Sequence, residues 1–165
     1  MTGRTHMLTG ACLALALHAS APQMVLVTVG AVLPDIDTAH STFGRYARIF
    51  SYTLPHRGPT HGLLMLALAT FIHPWLGLGV LTHILLDMTT SSGVKLFWPY
   101  DKNCRLPFAK KNHNNSLFEI LLQMALIVAI ACLCLHSLGG FFSFNMESIQ
   151  HWLRLLLRFL QKSFT

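Results

Sequence analysis

Residues 62–86 read GLLMLALATFIHPWLGLGVLTHILL, and the way this segment is threaded decides the fold. It holds no Asp, Glu, Lys or Arg and is long enough to cross a bilayer once as a single helix. Its middle points to a different geometry, because Pro74, Gly77 and Gly79 stand where a long helix would kink, break or turn. Segment 7–33 is built the same way, with Pro22 near its centre. Each segment is therefore either one kinked span or a hairpin of two short arms.

The charged residues choose between these threadings. Of the basic residues, Arg45, Arg48 and Arg57 lie in loop 38–60, and Lys95, Lys102, Arg105, Lys110 and Lys111 lie in loop 95–116. Two single spans would put these loops on opposite sides of the membrane, whereas two hairpins put both on one side, as the positive-inside rule requires. The hairpin has a cost. An arm of about 15 residues reaches only ~22 Å, short of the ~30 Å hydrocarbon core, so local thinning or arms extended into the loops must supply the rest.

The composition agrees with a membrane protein. The 165 residues are 53% hydrophobic and 11% charged, with a mean hydropathy of +0.51, whereas soluble domains carry about 25% charged residues. An ordinary soluble enzyme is excluded, and the net charge of +6 reads as a topology signal rather than a nucleic-acid footprint. The four cysteines form no disulfide framework and no Cys-x-x-Cys pair. Arg4, the run from Met7 to Leu17 and Ala19-Ser20-Ala21 imitate a cleavable leader, but Pro22 is a poor residue to follow a cut, so the segment is expected to stay.

Beyond these hairpins, residues 117–138 are long enough to span alone and are expected to end at Gly139-Gly140. A separate helix is expected over 149–164, with Arg154, Arg158 and Lys162 forming a basic stripe; it lies in the interface or returns across the bilayer. The expected fold is all-α: one domain over 1–165, a polytopic membrane bundle of five to six helices made from short antiparallel hairpins.

Hairpin threading gathers the unusual residues. His6 opens the first arm, Asp35 and Asp37 close the second, His56 and His61 precede the third, His83 and Asp87 end the fourth, and Glu119 opens helix five. All lie at the basic end of the bundle and include four of the ten histidines and four of the six carboxylates. His83 and Asp87, four apart on a helix, can chelate one ion, and Asp35-Ile36-Asp37 suits bridging carboxylates. Any one of them alone would read as a cap or a solvated interfacial group. His18 and His73 fall at the turn ends and His136 at the end of helix five, as packing or interfacial residues, while His151 belongs to the last helix. His40 and His113 lie in the site-side loops. Thr5-His6-Met7-Leu8 and Thr60-His61-Gly62-Leu63 open the two hairpins alike, a weak sign of a repeat.

Several blocks resemble the YdjM family of bacterial inner-membrane proteins. They are Thr5-His6, Leu33-Pro34-Asp35-Ile36-Asp37 with Ser41, His56-Arg57-Gly58-Pro59-Thr60-His61, His83-Ile84-Leu85-Leu86-Asp87 with Thr89 and Gly93, Trp98-Pro99, Arg105-Leu106-Pro107 and Glu119. They cover about residues 5–120. The resemblance implies a membrane-bound metal-dependent hydrolase in the inner membrane, with His6, Asp35, Asp37, His56, His61, His83, Asp87 and Glu119 as metal ligands. It also implies a distant similarity to helical zinc phosphoesterases. Two positions depart from the family pattern: Thr38 stands where members often have His, and Gly62 where they often have Ser.

The expected chemistry is a site of two or three divalent ions facing the cytoplasm, zinc first and Mn²⁺ or Fe²⁺ as alternatives. Asp35 or Asp37 would bridge metals or act as base, and Arg57, with Lys95 or Arg105, would neutralise charge on a phosphoryl group. The expected partners are membrane lipids and a lipid or membrane-proximal phosphoester or ester substrate, without nucleic acid. Two rivals are a non-catalytic protein with a structural metal and an ion transporter; the latter is disfavoured because the arm interiors carry no charge.

Overall fold

The computed structural model of the chain describes residues 1–38, 41, 58–107, 109 and 116–163. His40, His56, Arg57 and His113 therefore lie outside the described residues. The helices are α1 (Gly3–Ala16), α2 (Ala21–Gly30), α3 (Leu63–Ile72), α4 (Pro74–Asp87) and α5 (Leu117–Ser163), with short 3₁₀ turns at Leu33–Asp37 and Pro59–His61. Among the described residues the extended pairing is a single antiparallel bridge, Val94 with Cys104, so the all-α expectation stands. Residues 1–130 form one compact unit and 131–165 a second, whose described residues are helical.

Both long apolar segments are divided where the sequence places its breakers. After α1 the chain turns through His18 in the left-handed region (φ 52°), and the amide of Ala19 donates back to the Ala14 carbonyl at 2.9 Å. Gln23 then accepts from the Ser20 amide at 2.8 Å, which satisfies a donor at the start of α2. Between α3 and α4, His73 Nδ1 accepts from the Trp75 amide at 3.2 Å, and Pro74 begins the helix where no N–H is needed. The histidine at this turn is thus a helix cap.

Helices α2 and α4 meet almost backbone to backbone. A Cβ on Gly30 would run into the Leu76 carbonyl, and one on Gly79 into the Val27 carbonyl, so only glycine permits this crossing. The contact brings the last turn of α2 against the inner face of α4, where His83 lies.

The interior is small and polar, and the apolar surface faces outward. Ala69, Val80, Ile84 and Val94 form a modest buried cluster, while Phe71 is 89% exposed and Leu64 and Leu121 are also largely exposed. His6, His61 and His83 are among the largest fully buried side chains. Soluble proteins bury their large hydrophobic residues, so this reversal suits a chain whose surroundings are apolar. Among the described residues, Leu117–Leu138 is the one segment long and apolar enough to cross a membrane, and almost none of it is buried.

The structure corrects the C-terminal reading. The expected helices over 117–138 and 149–164 are one continuous helix, α5, which passes through Gly139-Gly140 without a break. Glycine within a helix costs about 1 kcal/mol relative to alanine, yet it keeps its N–H and its i→i−4 bond, unlike proline. No proline follows within the segment to enforce a stop.

Candidate metal centre

Four elements deliver the site. His6 comes from α1, Asp35 from the 3₁₀ turn that ends the α2 segment, His61 from the turn before α3, and His83 with Asp87 from the last turns of α4. Their donor atoms form two overlapping triads, His6–His83–Asp87 and Asp35–His61–His83. Two of the expected residues, His56 and Arg57, are outside the described chain.

The spacings are compatible with a coordination shell. His61 Nε2 lies 3.1 Å from His83 Nε2, and each of these nitrogens lies 3.7 Å from Asp35 Oδ1. Asp87 Oδ2 is 3.7 Å from His61 Nε2 and 3.8 Å from His83 Nε2, while Asp87 Oδ1 is 3.4 Å from His6 Nε2. Ligand bonds near 2.05 Å in a tetrahedron give edges of roughly 3.3 Å. The observed separations bracket that value.

The far sides of two rings are already committed. His83 Nδ1 is 2.7 Å from the Ala31 carbonyl, which can only accept, so this nitrogen carries the hydrogen and Nε2 offers its lone pair to the cluster. His61 Nδ1 lies 3.0 Å from Thr60 Oγ1 and 3.3 Å from Asp37 Oδ2. The Thr60 hydroxyl donates to Asp37 Oδ2 at 2.6 Å, leaving its lone pairs to face the His61 N–H. Contacts of this kind fix the orientation of an imidazole that could bind a metal.

His6 is different. It is fully buried and stacked on His83 with ring centroids 3.7 Å apart, and neither of its ring nitrogens has a hydrogen-bond partner. A buried polar group in that condition costs on the order of 1–3 kcal/mol. A cation bound to the cluster would remove the deficit, so the donor set fits a divalent metal.

Charge reinforces the cluster. Burial pushes the His61 ring towards neutrality, but the carboxylates of Asp35 and Asp37 beside it and the nearby Asp87 charge outweigh this and raise it to about 9. Burial pushes Asp35 up, and the His61 ring beside it with the neighbouring imidazoles brings it below the ordinary carboxylate range.

Asp37 and Glu119 stand apart from the two triads. The Asp37 carboxylate backs His61 on its Nδ1 side. Glu119 Oε1 accepts from the Thr2 amide at 2.6 Å, the Thr2 hydroxyl at 2.8 Å and the Thr5 hydroxyl at 2.5 Å, and Gln123 Nε2 donates to both threonines. It ties the first turn of α5 to the residue before His6. The two described cations considered as phosphate contacts are engaged elsewhere: Lys95 with Asp101 at 2.6 Å, and Arg105 with the Ser91 carbonyl at 2.9 Å. Sequence reading missed Ala31 and Thr60, the first because a backbone carbonyl leaves no residue signature and the second because one hydroxyl beside a histidine is common.

Fold and site together define a small helical membrane protein enclosing a buried histidine–aspartate cluster. The YdjM inner membrane protein family matches over residues 1–146, and the chain belongs to that family. It is 30% identical to the uncharacterized protein YvsG of Bacillus subtilis (strain 168), over 76% of this chain and 91% of that one. It is 38% identical to the inner membrane protein YdjM of Escherichia coli (strain K12), and equally to that of Shigella flexneri, over 59% of either chain. This chain thus spans well under two thirds of those two relatives. No solved structure matches.

Proposed function

We propose that the chain is a membrane-bound, metal-dependent hydrolase of the inner membrane, with its site at the cytoplasmic surface and its two apolar segments inserted as hairpins. The observation that carries this reading is His6, a buried imidazole whose two ring nitrogens make no hydrogen bond, with Asp87 Oδ1 3.4 Å from Nε2, inside a cluster of aspartates and histidines. His6, Asp35, His61, His83 and Asp87 would hold the cation, with Zn²⁺ preferred for a sulfur-free His and carboxylate set and Mn²⁺ or Fe²⁺ also compatible. Both triads include His83, whose Nε2 offers one lone pair, so the described residues are read as one ion position, while the expected ligand His56 of a further ion lies outside the described residues.

The bound cation would supply Lewis acidity, lowering the pKa of water towards ~7 and so providing a nucleophile for a phosphoester or carboxyl ester. The protein groups have separable tasks. Ala31 and the Thr60–Asp37 pair hold His83 and His61 with Nε2 turned inward. Asp35, the most exposed of the five at 16% of its side chain, is the one best placed to exchange a proton with substrate or solvent. Glu119 fixes Thr5 and through it the start of α1. The proposed kinship with zinc phosphoesterases would rest on the His-x-x-x-Asp spacing of His83 and Asp87.

The test is hydrolysis of p-nitrophenyl phosphate, bis-p-nitrophenyl phosphate and p-nitrophenyl acetate by purified, zinc-loaded protein. Turnover of a phosphate ester that is lost on chelation and in His61→Ala supports the proposal. The depth of burial favours a second reading, a metal that only braces the helices. Bound zinc without turnover of any of these esters, or of dispersed phospholipid, would select that second reading.

A further inference from the structure

An apolar groove of about 660 Å³ opens beside the start of α3, lined by Leu63, Leu64, Phe97, Trp98, Tyr100 and Lys102 among others. The loop that forms its wall is held in place by the Val94–Cys104 bridge and by the Leu63 amide, which donates to the Leu96 carbonyl at 2.9 Å. Gly62 eases this contact, since a Cβ there would crowd Leu96 O at 3.1 Å and Lys95 O at 3.2 Å. The groove begins immediately after the candidate metal ligand His61.

Its chemistry is graded from apolar to cationic. Leu64, Leu68 and Phe71, at i, i+4 and i+7, make an exposed stripe that continues the groove along α3 for about 10 Å. At the other end Phe97, Trp98 and Tyr100 are exposed beside Lys102, the mixture of aromatic and basic groups found at the headgroup level of bilayers. Asp101 lines the rim as well, but it is paired with Lys95 at 2.6 Å, so among the described lining residues Lys102 is the charge left unbalanced.

We infer that this groove seats one anionic phospholipid, its acyl chain along Leu64, Leu68 and Phe71 and its phosphate at Lys102. This deepens the hydrolase reading and rests on its membrane placement, because it names an anionic membrane lipid as the substrate class presented to the His61 side of the site. A free phosphate would use Lys102 without the leucine stripe, and the two sources can be separated.

The experiment places the chain, with Trp75→Phe and Trp152→Phe so that Trp98 alone reports, in phosphatidylcholine nanodiscs. A minority of brominated phosphatidylglycerol or brominated phosphatidylcholine is then added. Quenching of Trp98 per mole of brominated lipid should be about fivefold stronger for the anionic lipid, the factor one basic residue confers near a membrane surface. Lys102→Glu should abolish the preference, and soluble glycerol phosphate should not compete. Native mass spectrometry of the otherwise unaltered chain should show phosphatidylglycerol retained, and lost in Leu64→Asp. Equal quenching by both lipids, or competition by glycerol phosphate, overturns the inference. Because binding is read after chelation with EDTA as well as before, loss of the lipid preference with zinc uptake intact refutes the groove alone. The lipid preference without zinc uptake refutes the metal site alone.

Discussion

His83 Nε2 faces His61 Nε2 at 3.1 Å, while its Nδ1 is held by the Ala31 carbonyl at 2.7 Å. The second contact gives meaning to the first. With Nδ1 bearing hydrogen, His83 can only accept on the inner side, so His61 donates to it when no cation is bound. The same lone pair becomes a ligand when one is. The close approach of α2 and α4 at Gly30 and Gly79 sets this arrangement.

Asp37 and Asp87 should respond differently to substitution. Asp37 backs His61 from behind, so Asp37→Asn should lower zinc affinity by about 10–100-fold while leaving a bound equivalent at saturating metal. Asp87 lies among the inward-facing nitrogens, and Asp87→Asn should abolish binding. Competition against a zinc chelator measures both. Equal loss in the two variants would show that Asp37 ligates directly.

Metal uptake should release a proton at neutral pH. The folded, metal-free His61 is raised to about 9 from an ordinary 6.5, so its protonation stabilises that state. The contribution is complete below about pH 6.5 and is lost as pH rises through about 9. A cation needs the deprotonated ring. Zinc affinity should therefore climb by about tenfold per pH unit across this window and then level with respect to this group. Isothermal titration in buffers of different ionisation enthalpy reads the proton, and a pH-independent affinity would contradict the assignment.

Glu119 should act on the fold more than on the metal. Glu119→Gln should retain its zinc and lose about 1–2 kcal/mol of stability, because its three donors from Thr2 and Thr5 meet a weaker acceptor. Metal content and thermal unfolding of the detergent-solubilised variant are the two readouts. Loss of zinc in this conservative variant would place Glu119 in the coordination shell.

Loops 38–60 and 95–116 should lie on the same side of the membrane. Reporters inserted in each should both give the cytoplasmic signal, since a hairpin returns the chain to the side it left. Opposite signals would mean that segment 62–86 crosses once.

The division of the two apolar segments was legible because Pro22 and Pro74 each remove a backbone donor at a fixed place. Gly139-Gly140 misled because glycine lowers helix propensity without forbidding the hydrogen bond, and α5 runs on. In the site, His83 and Asp87 could be paired from their spacing alone. The grouping of His6, Asp35 and His61 with them required the hairpin threading and therefore the charge rule. What remained hidden was three-dimensional: the Ala31 carbonyl reaches His83 only because two glycines let their helices touch, and Thr60 joins Asp37 to His61 across separate segments.

The most direct test of the central claim is the metal content of the protein purified in detergent without chelators, measured by inductively coupled plasma mass spectrometry together with His83→Ala. The account predicts about one equivalent of divalent transition metal per chain, zinc foremost, falling to background in the variant. Protein that is folded yet metal-free, and that takes up neither zinc nor manganese when they are supplied, would contradict it.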